Sequence, residues 1–170
     1  MRRLGRALTD AQASKPLQVA IIRLLILTGC RQSEIRTLCW REYRERHLFL
    51  SDGKTGPRTV WLSSVARKLL DRLPRTTVFV FPAIGRPGPM STETLYRSWR
   101  QIRSQAGLDG LRLHDLRHTY ASFALRGGES VVVIGRLLGH RQPDTTLKYT
   151  HFGEVMLRDA VENVAKSLGG

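Results

Sequence analysis

The stretch Leu138-Gly139-His140-Arg141-Gln142-Pro143-Asp144-Thr145-Thr146-Leu147-Lys148-Tyr149-Thr150-His151 decides the reading of this chain. Upstream stand His114-Asp115-Leu116-Arg117-His118 and, nearer the N-terminus, Thr28-Gly29-Cys30-Arg31-Gln32-Ser33-Glu34. Two arginines, two histidines and a late tyrosine have the chemistry of a phosphate-binding pocket with its own nucleophile. A tyrosine hydroxyl can attack phosphorus and hold the broken end as a phosphotyrosine, which conserves the bond energy. The pentavalent transition state gathers negative charge on its non-bridging oxygens. Planar guanidinium groups fit those oxygens bidentately, and lysine does so less well. Such pre-organised donors are usually the largest catalytic term. The leaving oxygen also needs a proton, and a Lys or His supplying it contributes about 10² to 10⁴-fold.

Bulk composition is compatible with this and does not single it out. The chain has 170 residues, with 28 Lys and Arg against 14 acids, a net charge of +14. The sequence pI is near 11.1. This length forms one domain, or one and a small appendage, able to bury a core. The charge favours a polyanionic partner, nucleic acid before an anionic membrane surface. Ile21 to Leu27 is the richest apolar run and Arg23 interrupts it, so nothing spans a bilayer. Met1-Arg2-Arg3-Leu4 carries charge with no apolar core behind it, unlike a signal peptide. Cys30 and Cys39 belong to no paired metal motif and read as buried free thiols suited to a reducing cytosol.

Periodicity and punctuation give the elements. Ser14 is placed to cap a helix over 15–28, with Leu17, Ala20, Ile21, Leu24 and Leu25 inward and Gly29 as its stop. A second helix follows with Ile35, Leu38 and Cys39 inward. Leu48 to Ser51 and Thr59 to Leu62 read as a β-hairpin with Lys54 near its tip. Ser63 or Ser64 caps a helix through Leu69, Leu70 and Leu73. Val78 to Phe81 is a short extended piece, and Pro82 to Pro89 a loop. Ser91 caps a helix with Leu95, Trp99, Ile102 and Ala106 on one face. A helix over 114–125 stops at Gly127-Gly128. Ser130 caps the next, through Ile134, Leu137 and Leu138. A last helix carries Leu157, Val161, Val164 and Leu168. The expected fold is mostly α with one small antiparallel β-sheet (α+β).

Together these segments resemble the catalytic domain of the tyrosine recombinases, the phage integrase family, over nearly the whole chain. The resemblance implies the DNA breaking-rejoining enzyme fold and a site-specific DNA recombinase. That enzyme cleaves and rejoins strands through a 3′-phosphotyrosine without metal or cofactor. Arg31 in Thr-Gly-Cys-Arg matches the first family arginine, and Arg117 in His-Asp-Leu-Arg-His the second. His114 resembles the histidine that assists proton transfer. His140 in Leu-Gly-His matches a phosphate-binding His or Trp. Lys54, in Lys-Thr-Gly-Pro-Arg-Thr-Val, resembles the mobile lysine that acts as general acid. Tyr149, nine residues after His140, matches the nucleophile. Glu34 resembles an acid bracing the first arginine, and His118 and His151 are assigned supporting positions. The implied partners are double-stranded DNA and other copies of the chain, as a tetramer on DNA linked through the C-terminal helix. The implied setting is the cytoplasm of a bacterium, as a phage or bacterial gene product at the nucleoid.

Each residue also has an ordinary reading. Arg31 alone could be a helix-end arginine, Lys54 a solvated hairpin lysine and Tyr149 a core tyrosine. His114 and His118 at i, i+4 could suggest zinc, but the usual third ligand and catalytic Glu are missing. His118 is expected as a structural partner in the core. Three other functions fit parts of the pattern: a DNA-binding remnant without strand transfer, a type IB topoisomerase, and a helix-turn-helix repressor. The family normally carries an N-terminal core-binding domain. This chain is read as one catalytic domain over 1–170 without it, starting at a domain junction around Leu8-Thr9-Asp10. The stretch from Asp10 to Gly29 is also shorter than the family's.

Overall fold

The computed structural model describes residues 1–51 and 56–139. Lys54, His140, Tyr149, His151 and the expected last helix lie outside the described residues. Ten elements run in the order α1 (Arg2–Asp10), α2 (Pro16–Thr28), α3 (Gln32–Arg36), β1 (Tyr43–Arg44), β2 (His47–Leu50), β3 (Arg58–Trp61), α4 (Ser64–Asp71), α5 (Thr92–Gln105), α6 (Asp115–Arg126) and α7 (Val131–Leu138). A 3-10 turn, Trp40–Glu42, leads into β1. The described chain is therefore mostly α with one small antiparallel sheet, as the sequence leads one to expect.

Helix α2 is the axis of the domain. Val19, Ala20, Ile21, Ile22, Leu24 and Leu25 are all at most 2% exposed, so it is covered on nearly every side rather than along one stripe. It touches α3, α4, α5 and α6. Its start differs from the expected one. Pro16 is the first helical residue and Lys15 the cap, while Ser14 Oγ donates to the Ala11 carbonyl at 3.3 Å. Proline costs nothing there, because the first N–H groups of a helix have no internal acceptor.

The N-terminal segment is helical. Leu8-Thr9-Asp10, read as a domain junction, belongs to helix α1. Leu4, Ala7, Leu8 and Ala11 fall at helical spacing and are all buried. Arg2, Arg3 and Arg6 take the opposite face, which is exposed. The helix packs on α5, whose Leu95, Trp99, Ile102 and Ala106 are buried as expected.

The hairpin forms with both strands one residue earlier than expected. Its register pairs Leu48 with Val60 and Leu50 with Arg58. Leu48, Leu50 and Val60 are buried while Phe49 and Trp61 face out, the alternation of a sheet with one covered side. A third strand, β1, joins as Tyr43 opposite Leu48. Cys39, expected inward, is only half-buried. Helix α3 ends at Arg36, so Cys39 instead precedes the 3-10 turn, where its N–H donates to Glu42 Oε2 at 2.9 Å. The extended 78–81 segment lies alongside it: Trp40 N–H donates to Val78 O at 3.0 Å and Val80 N–H to Leu38 O at 2.8 Å.

Three helix starts are fixed by serines. Ser63, Ser91 and Ser130 accept from the N–H groups of Ala66, Thr94 and Val133 at 3.2, 3.1 and 3.2 Å. Each cap satisfies a donor with no partner inside its helix, worth about 1 kcal/mol. Helices α6 and α7 share a smaller cluster of Ala121, Leu125, Ile134 and Leu138 beside the main core. That cluster seats the C-terminus of α7 against the turn after α2.

Candidate active site

The site is built on the turn between α2 and α3. Gly29 ends α2 with φ +63°, and its N–H donates to Leu25 O at 3.0 Å. The left-handed conformation favours glycine, and the packing requires it separately. A Cβ there would stand 2.6 Å from Tyr120 Cδ1 of α6 and 2.7 Å from Leu138 Cδ2 of α7. Three helices thus close on one residue without a side chain.

Arg31 follows as the residue capping α3. Its main-chain N–H donates to Glu34 Oε2 at 2.7 Å, and its Nη1 to Glu34 Oε1 at 2.9 Å. Glu34 therefore bonds both the main chain and the side chain of Arg31. The Arg31 side chain is 23% exposed and that of Glu34 only 5%. The arginine reaches the surface on a carboxylate that does not.

The same carboxylate holds a second arginine that the sequence reading passed over. Arg58 of β3 donates through Nη2 to Glu34 Oε2 at 2.8 Å and through Nε to Oε1 at 3.2 Å. It also reaches Leu137 O at 3.3 Å and Cys30 Sγ at 3.5 Å. A signal was available. Arg58 stands two residues before buried Val60 in a strand, so it shares the inward face, where a charge needs a partner. Burial works to raise the Glu34 carboxyl, but the hydrogen bonds and charge of Arg58, then those of Arg31, hold its pKa below the usual value. Burial pushes the Cys30 thiol up, against the nearby Arg58 charge, so it is a protonated packing group.

Arg117 enters from α6 and is 5% exposed. Its Nη1 donates to Gly29 O and its Nη2 to Leu138 O, both at 2.7 Å. These carbonyls close α2 and α7, where helix ends leave unpaired acceptors and partial negative charge. Hydrogen bonds of a charged donor contribute about 1.5–3 kcal/mol each. Arg117 therefore ties three helices to one point and fixes its own guanidinium.

His114 caps α6 and is exposed, with its ring 5.2 Å from that of His118 in an edge-on contact. Partial burial, then the charges of His118 and Arg117, hold its pKa below the ordinary histidine value. The shift favours its neutral form, which has a lone pair to accept a proton. His118 is exposed too, which corrects its expected place in the core. It lies one turn along from His114, while Leu116, Arg117 and Ala121 occupy the buried face. Among the described residues no group of three or more His, Cys, Asp or Glu could hold a metal ion. Nor is any described helix long and apolar enough to cross a membrane.

The structure thus brings Arg31, Glu34 and Arg117 together around Gly29, with His114 at the head of the same helix as Arg117. The helical domain with its small sheet gathers guanidiniums on a shared carboxylate and on helix ends, a local concentration of positive charge. The chain belongs to the phage integrase family, whose profile matches residues 2–154. It is similar to the tyrosine recombinase XerA of Saccharolobus solfataricus, at 31% identity over 160 residues, 88% of this chain and 53% of that protein. It spans about half the length of that relative. Among solved structures it resembles a crystal structure of XerA recombinase, with TM-score 0.77 and 26% identity over 96% of this chain and 63% of that one. It also resembles the catalytic domain of bacteriophage HP1 integrase, with TM-score 0.71 and 28% identity over 95% and 91% of the two chains.

Proposed function

We propose that this chain is the strand-transfer domain of a site-specific DNA recombinase, acting through a covalent 3′-phosphotyrosine. One observation carries the reading. Arg31 and Arg117 come from elements far apart in sequence and meet at the Gly29 turn, each fixed by buried acceptors. Guanidiniums held before the substrate arrives need no reorganisation as charge develops on the phosphate. Membership of the integrase family and the net charge of +14 support duplex DNA as the substrate. The relatives favour recombination over a topoisomerase, a repressor or an inactive remnant.

In this reading Tyr149 Oη attacks the scissile phosphorus and forms a P–O bond to the enzyme. The bond to the 5′-oxygen breaks, and Lys54 supplies the proton that oxygen takes up. Arg31, Arg117 and His140 hold the non-bridging oxygens. Neutral His114 accepts the tyrosine proton, a role its depressed pKa suits. A 5′-hydroxyl from a partner strand then attacks the phosphotyrosine and reverses the steps. The positive charges replace the metal used in other phosphoryl transfers. Glu34 acts by bracing Arg31, with His118 and His151 in supporting roles. The apolar stripe Leu157, Val161, Val164 and Leu168 would join protomers on DNA. Truncation after Asp159 should then weaken assembly and spare the monomer.

The deciding experiment uses a suicide DNA substrate and a denaturing gel. Wild-type protein should form a covalent protein–DNA adduct. Tyr149→Phe should bind the same DNA and form none. A persistent adduct in that variant refutes Tyr149 as nucleophile.

A further inference from the structure

We infer that Arg58 is a positioning residue for strand transfer, which keeps the Arg31 charge available to the phosphate by taking up the charge of Glu34. The inference rests on the strand-transfer reading above and adds a group to its machinery. Each Glu34 oxygen accepts one hydrogen bond from Arg31 and one from Arg58. Without Arg58, Arg31 and Glu34 form a neutral pair, and a neutral pair stabilises a phosphorane poorly. With Arg58 the trio carries one net positive charge. The exposures set the division of labour. The Arg58 and Glu34 side chains are 10% and 5% exposed, whereas Arg31 is 23% exposed. Arg58 is the enclosed counter-charge and Arg31 the one facing out.

The same guanidinium has a second duty. It joins β3, at the base of the hairpin that bears Lys54, to Leu137 O at the end of α7 and to Cys30 in the α2–α3 turn. Arg117 takes the next carbonyl of α7, Leu138 O. The two arginines therefore grip consecutive carbonyls just before His140. Gly139, with φ +69°, makes room for this. A Cβ there would lie 2.6 Å from Arg58 Cδ and 2.9 Å from Nε. The glycine lets the chain turn and lets the arginine pass beneath it.

The test compares cleavage of two suicide substrates by the full chain. One has a normal scissile phosphate. The other has a methylphosphonate, which lacks the charged non-bridging oxygen. Variants are Arg31→Ala, Arg58→Gln and Arg58→Lys, with DNA affinity and circular dichroism measured on each. On the normal substrate Arg58→Gln should lose cleavage on the order of 10²-fold, with DNA affinity nearly unchanged. On methylphosphonate, Arg31→Ala and Arg58→Gln should both approach wild type. Arg58→Lys keeps the counter-charge and should recover most of the rate, a rescue that a purely geometric tether does not predict.

If Arg31→Ala recovers on methylphosphonate and Arg58→Gln does not, the role of Arg58 is refuted and the strand-transfer reading stands. If Arg31→Ala shows no recovery, or wild type forms no adduct on either substrate, that reading fails and the role of Arg58 fails with it. Should Arg58→Gln not fold, a folded Arg58→Lys as slow as Arg31→Ala overturns the inference.

Discussion

Replacing Glu34 with glutamine isolates the carboxylate on which the arginine cluster depends. The wild-type side chain is 5% exposed. Its oxygens accept four hydrogen bonds, from Arg31 N at 2.7 Å, Arg31 Nη1 at 2.9 Å, Arg58 Nη2 at 2.8 Å and Arg58 Nε at 3.2 Å. Glutamine keeps one oxygen and turns an N–H₂ toward the other pair of donors. Two bonds are lost, and Arg58 is left largely enclosed without its counter-charge. Removing one partner of a fully buried ion pair costs about 3–5 kcal/mol. Arg31 is partly exposed and can rehydrate, so about 2–4 kcal/mol is expected here. That is a large share of a stability of about 5–15 kcal/mol.

The assay is urea unfolding of both proteins across pH. The Glu34 carboxyl has a folded pKa below its unfolded value, so its stabilisation is complete above about pH 4.3. It is lost as pH falls through the lower folded value. Glutamine does not titrate. The gap between the proteins should be full at pH 7 and narrow as pH falls from about 5 toward 3. A gap at pH 7 below about 0.5 kcal/mol, the size of an ordinary surface substitution, refutes the reasoning. So does a gap that ignores pH.

Gly29→Ala combines left-handed strain of about 1–2 kcal/mol with overpacking of about 1–3 kcal/mol against Tyr120 and Leu138. Its urea midpoint should drop accordingly, and a shift worth under about 1 kcal/mol counts against the close approach. His114→Gln should flatten the rise of stability with pH around and below about 6.5, because the unfolded chain binds that proton more readily. An unchanged slope contradicts the depressed pKa. Adduct formation should survive excess EDTA, and strict Mg²⁺ dependence refutes a metal-free pocket. Lys54→Ala should slow cleavage of a normal 5′-oxygen leaving group, and a 5′-bridging phosphorothiolate, whose sulfur leaves without a proton, should restore the rate. Equal loss on both leaves Lys54 no part in proton transfer.

The sequence alone determined those features that depend on near neighbours along the chain. Ser63, Ser91 and Ser130 mark helix starts because a cap bonds a residue three positions on, and Gly29 marks an end because a left-handed turn favours glycine. The hairpin was legible from its alternation and its turn residues. Arg31 and Arg117 were legible as candidates from motif and resemblance, and Glu34, three residues from Arg31, as its brace. Helix α1 went unread, although Leu4, Ala7, Leu8 and Ala11 fall at helical spacing, because that pattern becomes core only where α5 meets it. Only the tertiary structure decided what depends on distant partners. The two-residue strand β1 exists because β2 lies beside it. His118 faces out because α6 spends its buried side on Arg117 and its neighbours. Arg58 joins the site because the hairpin folds over Glu34, 24 residues away, and over the end of α7, 79 residues away. A guanidinium on a strand reads as solvated until the fold removes the water and supplies a carboxylate, and that exchange is a property of packing rather than of any local pattern.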